Sequence, residues 1–551
     1  MRKAQITPLI VIYAFILGVI PSPAQNNAEQ TCIKRTEYVV VEDTIKLATD
    51  IYLPAEQGQF PCILVRTPYY KENLEKEAES FVQRGYAVVC QDTRGKFASD
   101  GVFYAFRYER HDGLATVNWI KSQPWYNGKI GGWGGSYVGY TQWAVSDQLD
   151  AMTPLLTTAN MYDGLYPDGL FSLATAFRWG LQVAAKTSNK IPSQKIEASC
   201  SILPLSVADD STYKPNKITD DWLLNSHQNV FWGSMNHRAL AACPVFSVAG
   251  WYDIFLMAQI EDFEALGANR HPDSHLMIGP WAHGKASAKL DYGEQGDFGK
   301  CGMAMLRRFM DRHLKSDTVA VIQAPFMNEP YLLFIMHRNE WYGCKRWPPK
   351  NCEFTDYYLG PNANLSPSRF NQDEHVEYVY DPADPYPSLG GTLLGGGVGP
   401  AWQNDNLSRS DQAVFESEVL DTPLVLLGPI SATLYVSTDA PSTDFVVCLQ
   451  DIYPDSQILN IQEGAATIYS DASAEPRVQQ IEISVWATGY QLQESHRLRV
   501  SISSSWFPRY NRNLNTGEPI FSAQTIRVAN QRLFFGSRYP SCVTLPVLSI
   551  D

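Results

Sequence analysis

A serine set among glycines is the first residue of this sequence whose surroundings suggest chemistry. The stretch Lys129-Ile130-Gly131-Gly132-Trp133-Gly134-Gly135-Ser136-Tyr137-Val138-Gly139 reads as a short strand that turns through Gly134 and Ser136 into a helix-compatible segment. A nucleophile elbow needs this pattern, because a serine on a sharp strand-to-helix turn tolerates only small neighbours. The spacing is G-x-S-x-x-G, one residue longer than the common G-x-S-x-G, and a glycine-rich turn holding a structural serine is the plainer alternative. Neither G-K-[ST] nor G-x-G-x-x-G spacing follows the strand, so a phosphate cradle is excluded. A serine nucleophile needs a base, and the base needs a carboxylate; in α/β hydrolases they follow in the order Ser, acid, His. Gly250-Trp251-Tyr252-Asp253 supplies an acid just after one apolar run, and Gly279-Pro280-Trp281-Ala282-His283-Gly284 supplies a histidine after the next. Other histidines stand in polar or helix-surface settings such as Asn236-His237-Arg238 and Asp311-Arg312-His313.

These three side chains can meet only if their strands share one sheet edge. Short β-rich runs, among them Cys62-Ile63-Leu64-Val65 and Tyr86 to Cys90, alternate with helical stretches at Leu74 to Arg84 and Gly113 to Lys121. Continuous apolar strands alternating with helices indicate a parallel sheet covered on both faces, the α/β class. The alternation stops near residue 160; Phe171 to Ala185 is an apolar run of helical length, and strand signals resume at Pro244 to Ala249 and His275 to Ile278. Beyond about residue 350 the runs are short and alternating, as in Ala432 to Val436, Phe445 to Leu449, Gln480 to Val485 and Leu498 to Ile502. Such density of strands predicts an all-β sandwich or jelly roll.

Seven ordered stretches carry a resemblance over nearly the whole chain: Leu64 to Tyr69, Gln91 to Gly95, Gly135 to Gly139, Ala249 to Asp253, Gly279 to His283, Tyr380 to Pro385 and Trp506 to Tyr510. Together they are similar to the cocaine esterase group of α/β hydrolases, related to α-amino acid ester hydrolases and Xaa-Pro dipeptidyl-peptidases. The resemblance implies an α/β-hydrolase core at residues 25–160 and 237–350, an inserted helical cap at 161–236 and a C-terminal all-β jelly-roll domain at 351–551. It implies Ser136 as nucleophile, His283 as base and Asp253 as its orienter, with the Tyr69 hydroxyl and the Tyr137 backbone N–H forming the oxyanion hole. Phe255 and Trp179 match aromatics that line the acyl pocket, Tyr166 stands where the family member has Trp, and Gly395 where it has Phe. In α-amino acid ester hydrolases two further carboxylates follow the triad acid and hold the substrate ammonium; here Ile254-Phe255-Leu256 stands in their place. Asp92 and Arg94 also match a family stretch, and a structural ion pair or turn is the role expected of them.

Of the 551 residues, 45% are hydrophobic and 19% charged, which excludes a disordered chain and predicts two or three domains. A formal charge of -14 gains nothing from phosphate counterion release, so nucleic acid is not expected as a partner. Arg2 and Lys3, the apolar run Leu9 to Ile20 and Pro21-Ser22-Pro23-Ala24 predict a secretory signal over residues 1–24, cleaved after Ala24, and hence a secreted or periplasmic protein. The run is short of the roughly 20 apolar residues a membrane span requires. Among ten cysteines there is no C-x-x-C pair and no ligand spacing for zinc; no metal or cofactor is expected. Cys62 and Cys90 read as buried thiols, and Cys344 and Cys352, flanking Pro348-Pro349, as the pair placed for a local bridge. The expectation is an exported serine hydrolase of small acyl esters, with homo-oligomer formation left open. Xaa-Pro dipeptidyl-peptidase or β-lactam acylase activity on amides is the alternative. A carbohydrate-binding or scaffold protein with a vestigial hydrolase core is the reading from another class.

Overall fold

The computed structural model describes residues 32–549 apart from 43, 188–190, 288, 316–328 and 471–476; the proposed signal segment lies outside the described residues. Ten strands form the first sheet: β1 (Ile33–Val41), β2 (Ile45–Leu53), β3 (Phe60–Thr67), β4 (Ala87–Asp92), β5 (Tyr126–Gly135), β6 (Ala151–Leu155), β7 (Phe246–Tyr252), β8 (His275–Ala282), β9 (Tyr331–Ile335) and β10 (Glu340–Cys344). Their order is β1-β2-β4-β3-β5-β6-β7-β8-β9-β10. Pairing is parallel from β4 across to β9, and antiparallel at the β1–β2, β2–β4 and β9–β10 ends. The parallel strands are buried along nearly all of their length, for example every residue of β4 and β7, which is why they read as unbroken apolar runs. Helices Glu75–Val82, Glu109–Lys121, Tyr137–Trp143, Leu256–Glu264 and Phe298–Lys315 cover the sheet.

Between β6 and β7 the described chain is helical and irregular only, and it forms the cap. Its helix Leu173–Val183 buries Leu173, Ala176, Phe177, Gly180 and Leu181, an i, i+3, i+4 stripe that packs against other cap aromatics. Lys96, from the loop after β4, donates through Nζ to the Val183 carbonyl at 3.1 Å and to that of Ala185. A cation at a helix C-terminus answers both the unpaired carbonyls and the helix dipole.

The C-terminal unit begins at β11 (Cys352–Gly360) and is β-rich, consistent with a jelly roll. Eleven strands of the described residues join in one sheet, including β12 (Leu424–Thr438), β13 (Ser442–Ile452), β14 (Gln479–Leu492) and β15 (Arg497–Ser503), which contain the four runs singled out in the sequence. Main-chain bonds stitch it to the first sheet: Met336 N–H donates to Gly489 O at 2.9 Å and Gln491 N–H to Met336 O at 3.1 Å. One apolar cluster therefore runs from Trp251 and Phe334 into Leu426 and Tyr490. The expected Cys344–Cys352 bridge is not formed. Both are free thiols, with Cys344 Sγ turned to the Arg346 carbonyl and Cys352 Sγ to that of Leu427, because the turn between β10 and β11 sends the two side chains to different carbonyls. Cys62 and Cys90 are buried free thiols. Arg94 is paired with Asp112 at 2.5 Å rather than with Asp92, whose Oδ1 accepts from the Lys71 N–H.

Candidate active site

The elbow serine follows the C-terminal end of β5 with φ 55° and ψ -128°, a region that costs an L-residue about 1–3 kcal/mol. Two contacts hold it there: Ser136 N–H donates to the Leu155 carbonyl of β6 at 2.8 Å, and Thr157 Oγ1 donates to the Ser136 carbonyl at 2.8 Å. The helix Tyr137–Trp143 can start so abruptly because Gly139 leaves room for Thr157; a Cβ there would stand 2.5 Å from Thr157 Cγ2. The extra residue in G-x-S-x-x-G thus serves the same close packing.

Asp253 follows β7 and His283 follows β8, so adjacent parallel strands deliver both to the edge that carries Ser136. Ser136 Oγ lies 2.9 Å from His283 Nε2, and His283 Nδ1 lies 2.8 Å from Asp253 Oδ2. The other Asp253 oxygen accepts from the Phe255 N–H at 2.9 Å, which fixes the carboxylate. Both Asp253 and His283 are buried. The Phe255 ring meets the imidazole edge-on, centroids 5.3 Å apart.

The loop after His283 is clamped by the C-terminal unit. Ala286 and Val398 form a β-bridge, Ser287 N–H donates to Val398 O at 2.9 Å, and a Cβ on Gly284 would stand 2.4 Å from Gly395 O. Gly395 itself does not line the cavity; its neighbour Leu394 does, and a Cβ on Gly395 would stand 3.5 Å from the Arg178 guanidinium.

Tyr69, two residues past β3, brings its hydroxyl to the same point. Its oxygen accepts from Trp179 Nε1–H at 2.8 Å, and it lines the cavity together with Ser136. Burial pushes this phenol up to about 12, against the pull of the Trp179 bond, so it is a neutral O–H donor at physiological pH. Tyr137 opens its helix, where a backbone N–H has no intrahelical acceptor. Its side chain is anchored far from solvent: the hydroxyl donates to Glu109 Oε1 at 2.5 Å and accepts from Phe106 N–H at 3.0 Å. Glu109 is in turn paired with buried Arg66 at 2.9 Å. Burial raises the Glu109 carboxyl, and the Arg66 charge opposes that rise.

Above these groups is an open cleft of about 490 Å³ including its mouth. Trp179 and Phe255, the two aromatics that the resemblance singled out, stand in its wall. Phe106, Tyr140, Met161, Leu165, Ile254 and Leu394 form much of the rest, and among the described residues no lining side chain is a carboxylate, lysine or arginine. Tyr166 is not among them: its hydroxyl donates to the Trp222 carbonyl at 2.9 Å and its ring stacks on Tyr162 inside the cap. Phe106 and Leu394 went unnoticed in the sequence because they come from loops without periodicity. Ile254 and Ala176 had a signal, adjacency to Asp253 and an i, i+3 relation to Trp179.

Comparison with known proteins agrees with this architecture. Residues 43–285 match the family described as X-Pro dipeptidyl-peptidase (S15 family), and 325–544 match the X-Pro dipeptidyl-peptidase C-terminal non-catalytic domain. The chain is 31% identical to the cocaine esterase of Rhodococcus sp. (strain MB1 Bresler) over 93% of its length and 97% of that protein's. In fold it is similar to an aminopeptidase from a marine sediment archaeon, Thaumarchaeota archaeon, with a TM-score of 0.79 and 22% identity over 97% of this chain and 99% of that one. It is likewise similar to an α-amino acid ester hydrolase, with a TM-score of 0.77 and 23% identity over 99% and 100% of the two chains.

Proposed function

The chain belongs to the serine hydrolase family of cocaine esterase and the X-Pro dipeptidyl-peptidases, and from that premise we propose that it cleaves carboxylic esters of neutral, apolar acids through an acyl-enzyme on Ser136. The observation that carries the reading is the continuous contact from Ser136 through His283 to Asp253 beneath a cleft whose described lining holds no carboxylate, lysine or arginine.

In this mechanism His283 Nε2 takes the Ser136 proton as Oγ attacks the ester carbonyl. Asp253 holds the imidazole in the tautomer that makes this acceptance available and stabilises the imidazolium that follows. The negative charge on the former carbonyl oxygen is met by the Tyr137 N–H and the Tyr69 O–H, donors that are already oriented before the reaction. His283 then protonates the leaving alcohol, and a water repeats the sequence on the acyl group.

A dipeptidyl substrate brings an α-ammonium into the site, and burying it without a partner costs several kcal/mol. Ile254, Phe255 and Leu256, which follow Asp253, offer it none. Neutral acyl groups incur no such penalty, which supports esters over Xaa-Pro amides. The test is a panel of aryl esters, Xaa-Pro anilides and acylated β-lactams run on the wild type and Ser136→Ala. The reading expects ester turnover that Ser136→Ala abolishes; faster turnover of Xaa-Pro anilides than of any ester would overturn it.

Export is part of the proposal, supported by the residue pattern over 1–24. Sequencing the N-terminus of the protein recovered from its host should begin at Gln25. A chain retaining residues 1–24 contradicts it. No helix among the described residues is long and apolar enough to cross a membrane.

A further inference from the structure

Trp179 lies on the cap, yet its polar atom is spent on the core. We propose that Trp179 is a positioning residue of the oxyanion site, whose indole N–H fixes the direction in which the Tyr69 hydroxyl donates. The inference rests on the reading of Tyr69 as an oxyanion donor and adds to it the group that orients that donor.

The argument is an accounting of protons. A phenolic hydroxyl has one proton and two lone pairs, whereas an indole N–H donates and cannot accept. At 2.8 Å, Trp179 Nε1–H therefore occupies a lone pair of Tyr69, and the Tyr69 proton must point elsewhere. The other end of the chain is equally constrained. A carboxylate only accepts, so with Asp253 Oδ2 at 2.8 Å the His283 proton sits on Nδ1, and Nε2 is left as an acceptor for the Ser136 O–H. With its proton committed to His283, Ser136 Oγ can meet the Tyr69 hydroxyl only as an acceptor. The donations are thereby fixed at both ends, Trp179 into the Tyr69 oxygen and Ser136 into His283, with the His283 Nδ1–H donating to Asp253. The Tyr69 proton is held on the side of the nucleophile, where the oxyanion forms when Oγ bonds to the carbonyl carbon. Donation into the Tyr69 oxygen also polarises its O–H, which strengthens the bond it gives.

The indole is fixed firmly enough for this task. Its ring is stacked on Phe106 at 5.1 Å, on Tyr137 at 5.9 Å and on Trp222 at 6.1 Å, with interplanar angles of 20–23°. Residues of the core and of the cap thus hold one plane between them, and the N–H vector has little freedom. A wall residue chosen for apolar contact alone would have no reason to aim its nitrogen at the oxyanion tyrosine.

Because Trp179 also lines the cleft, a single variant would mix two effects, and a double-mutant cycle separates them. Trp179→Phe keeps an aromatic ring and deletes the N–H. Acting through Tyr69, it should lower kcat by about tenfold, the worth of one lost hydrogen bond, with KM changed less than about twofold. In a Tyr69→Phe background the same change should lower kcat by no more than about twofold further, since the hydroxyl it orients is gone. Equal losses in the two backgrounds, or a loss confined to KM, would overturn the inference and leave Trp179 as wall. If Tyr69→Phe alone keeps its kcat, the oxyanion reading fails and the inference with it. Should Trp179→Phe not fold, benzothienylalanine at position 179 keeps the bicyclic shape, replaces N–H by sulfur and is read by the same two comparisons.

Discussion

Gly284 and Gly395, from different structural units, meet so closely that a methyl group on Gly284 would stand 2.4 Å from the Gly395 carbonyl oxygen. The residue next to His283 is thereby seated against the loop that carries Leu394 into the cleft. The C-terminal unit therefore sets both a wall of the cleft and the position of His283, and its attachment is a condition for the chemistry.

Gly284→Ala is the direct probe of that contact. The residue also sits at φ +145°, where an alanine is strained whatever the space. The expected outcome is a fall in kcat of about tenfold or more, because a 1 Å displacement of a catalytic group can cost up to 10²-fold. Steady-state kinetics corrected by active-site titration checks it, with unchanged kcat contradicting the clamp.

Tyr69→Phe keeps the ring and removes one oxyanion donor. Turnover should drop by roughly 10²–10³ with little change in KM, as for other losses of one such donor. Thermal unfolding run alongside must stay near wild type for the kinetic loss to bear on the donor. A drop under about tenfold rejects the role.

The Arg66–Glu109 pair, buried behind Tyr137, predicts a stability effect. Glu109→Ala strips a fully buried guanidinium of its carboxylate partner, leaving it the Gln91 side chain and the residue 109 carbonyl, and removes the acceptor of the Tyr137 hydroxyl. Breaking a buried pair from one side costs about 3–5 kcal/mol. The urea midpoint should fall accordingly; a shift within the noise of replicate curves would mean that Arg66 finds another acceptor.

His237 predicts a pH dependence. Burial, with the Arg110 charge adding to it and Asp147 opposing, lowers this imidazole from 6.5 to about 4. The unfolded chain therefore takes up a proton as pH falls from 6.5 while the folded chain does not until about 4. Folding stability from this group is complete above 6.5 and is lost downward through that window. Between pH 7 and pH 5 the wild type should lose on the order of 2 kcal/mol more than His237→Gln, measured as the difference in urea unfolding free energies. Parallel loss in the two proteins would show that His237 is not held neutral.

How much of this could be read from the sequence depends on how local each signal is. Ser136, Asp253 and His283 each follow a run of apolar strand residues, and a shared sheet edge brings strand ends together, so their meeting was legible from order alone. Trp179 and Phe255 were legible through the resemblance. Tyr166 shows the limit: an aromatic in a helical insert can face the cleft or the cap interior, and only the packing of Tyr162, Phe171 and Trp232 around it decides. The Cys344–Cys352 expectation failed for a related reason, since proximity in sequence says nothing of the directions in which two side chains leave a turn. The clamp between Gly284 and Gly395 joins positions more than a hundred residues apart and leaves no periodic trace.

The central claim, that Ser136 is the nucleophile of an ester hydrolase, is tested most directly by mapping a fluorophosphonate adduct by peptide mass spectrometry. Wild type incubated with the probe should carry one phosphonyl group, on Ser136, formed in parallel with the loss of ester turnover, and Ser136→Ala should carry none. An adduct on any other serine, or full ester turnover remaining after Ser136 is modified, would contradict the account.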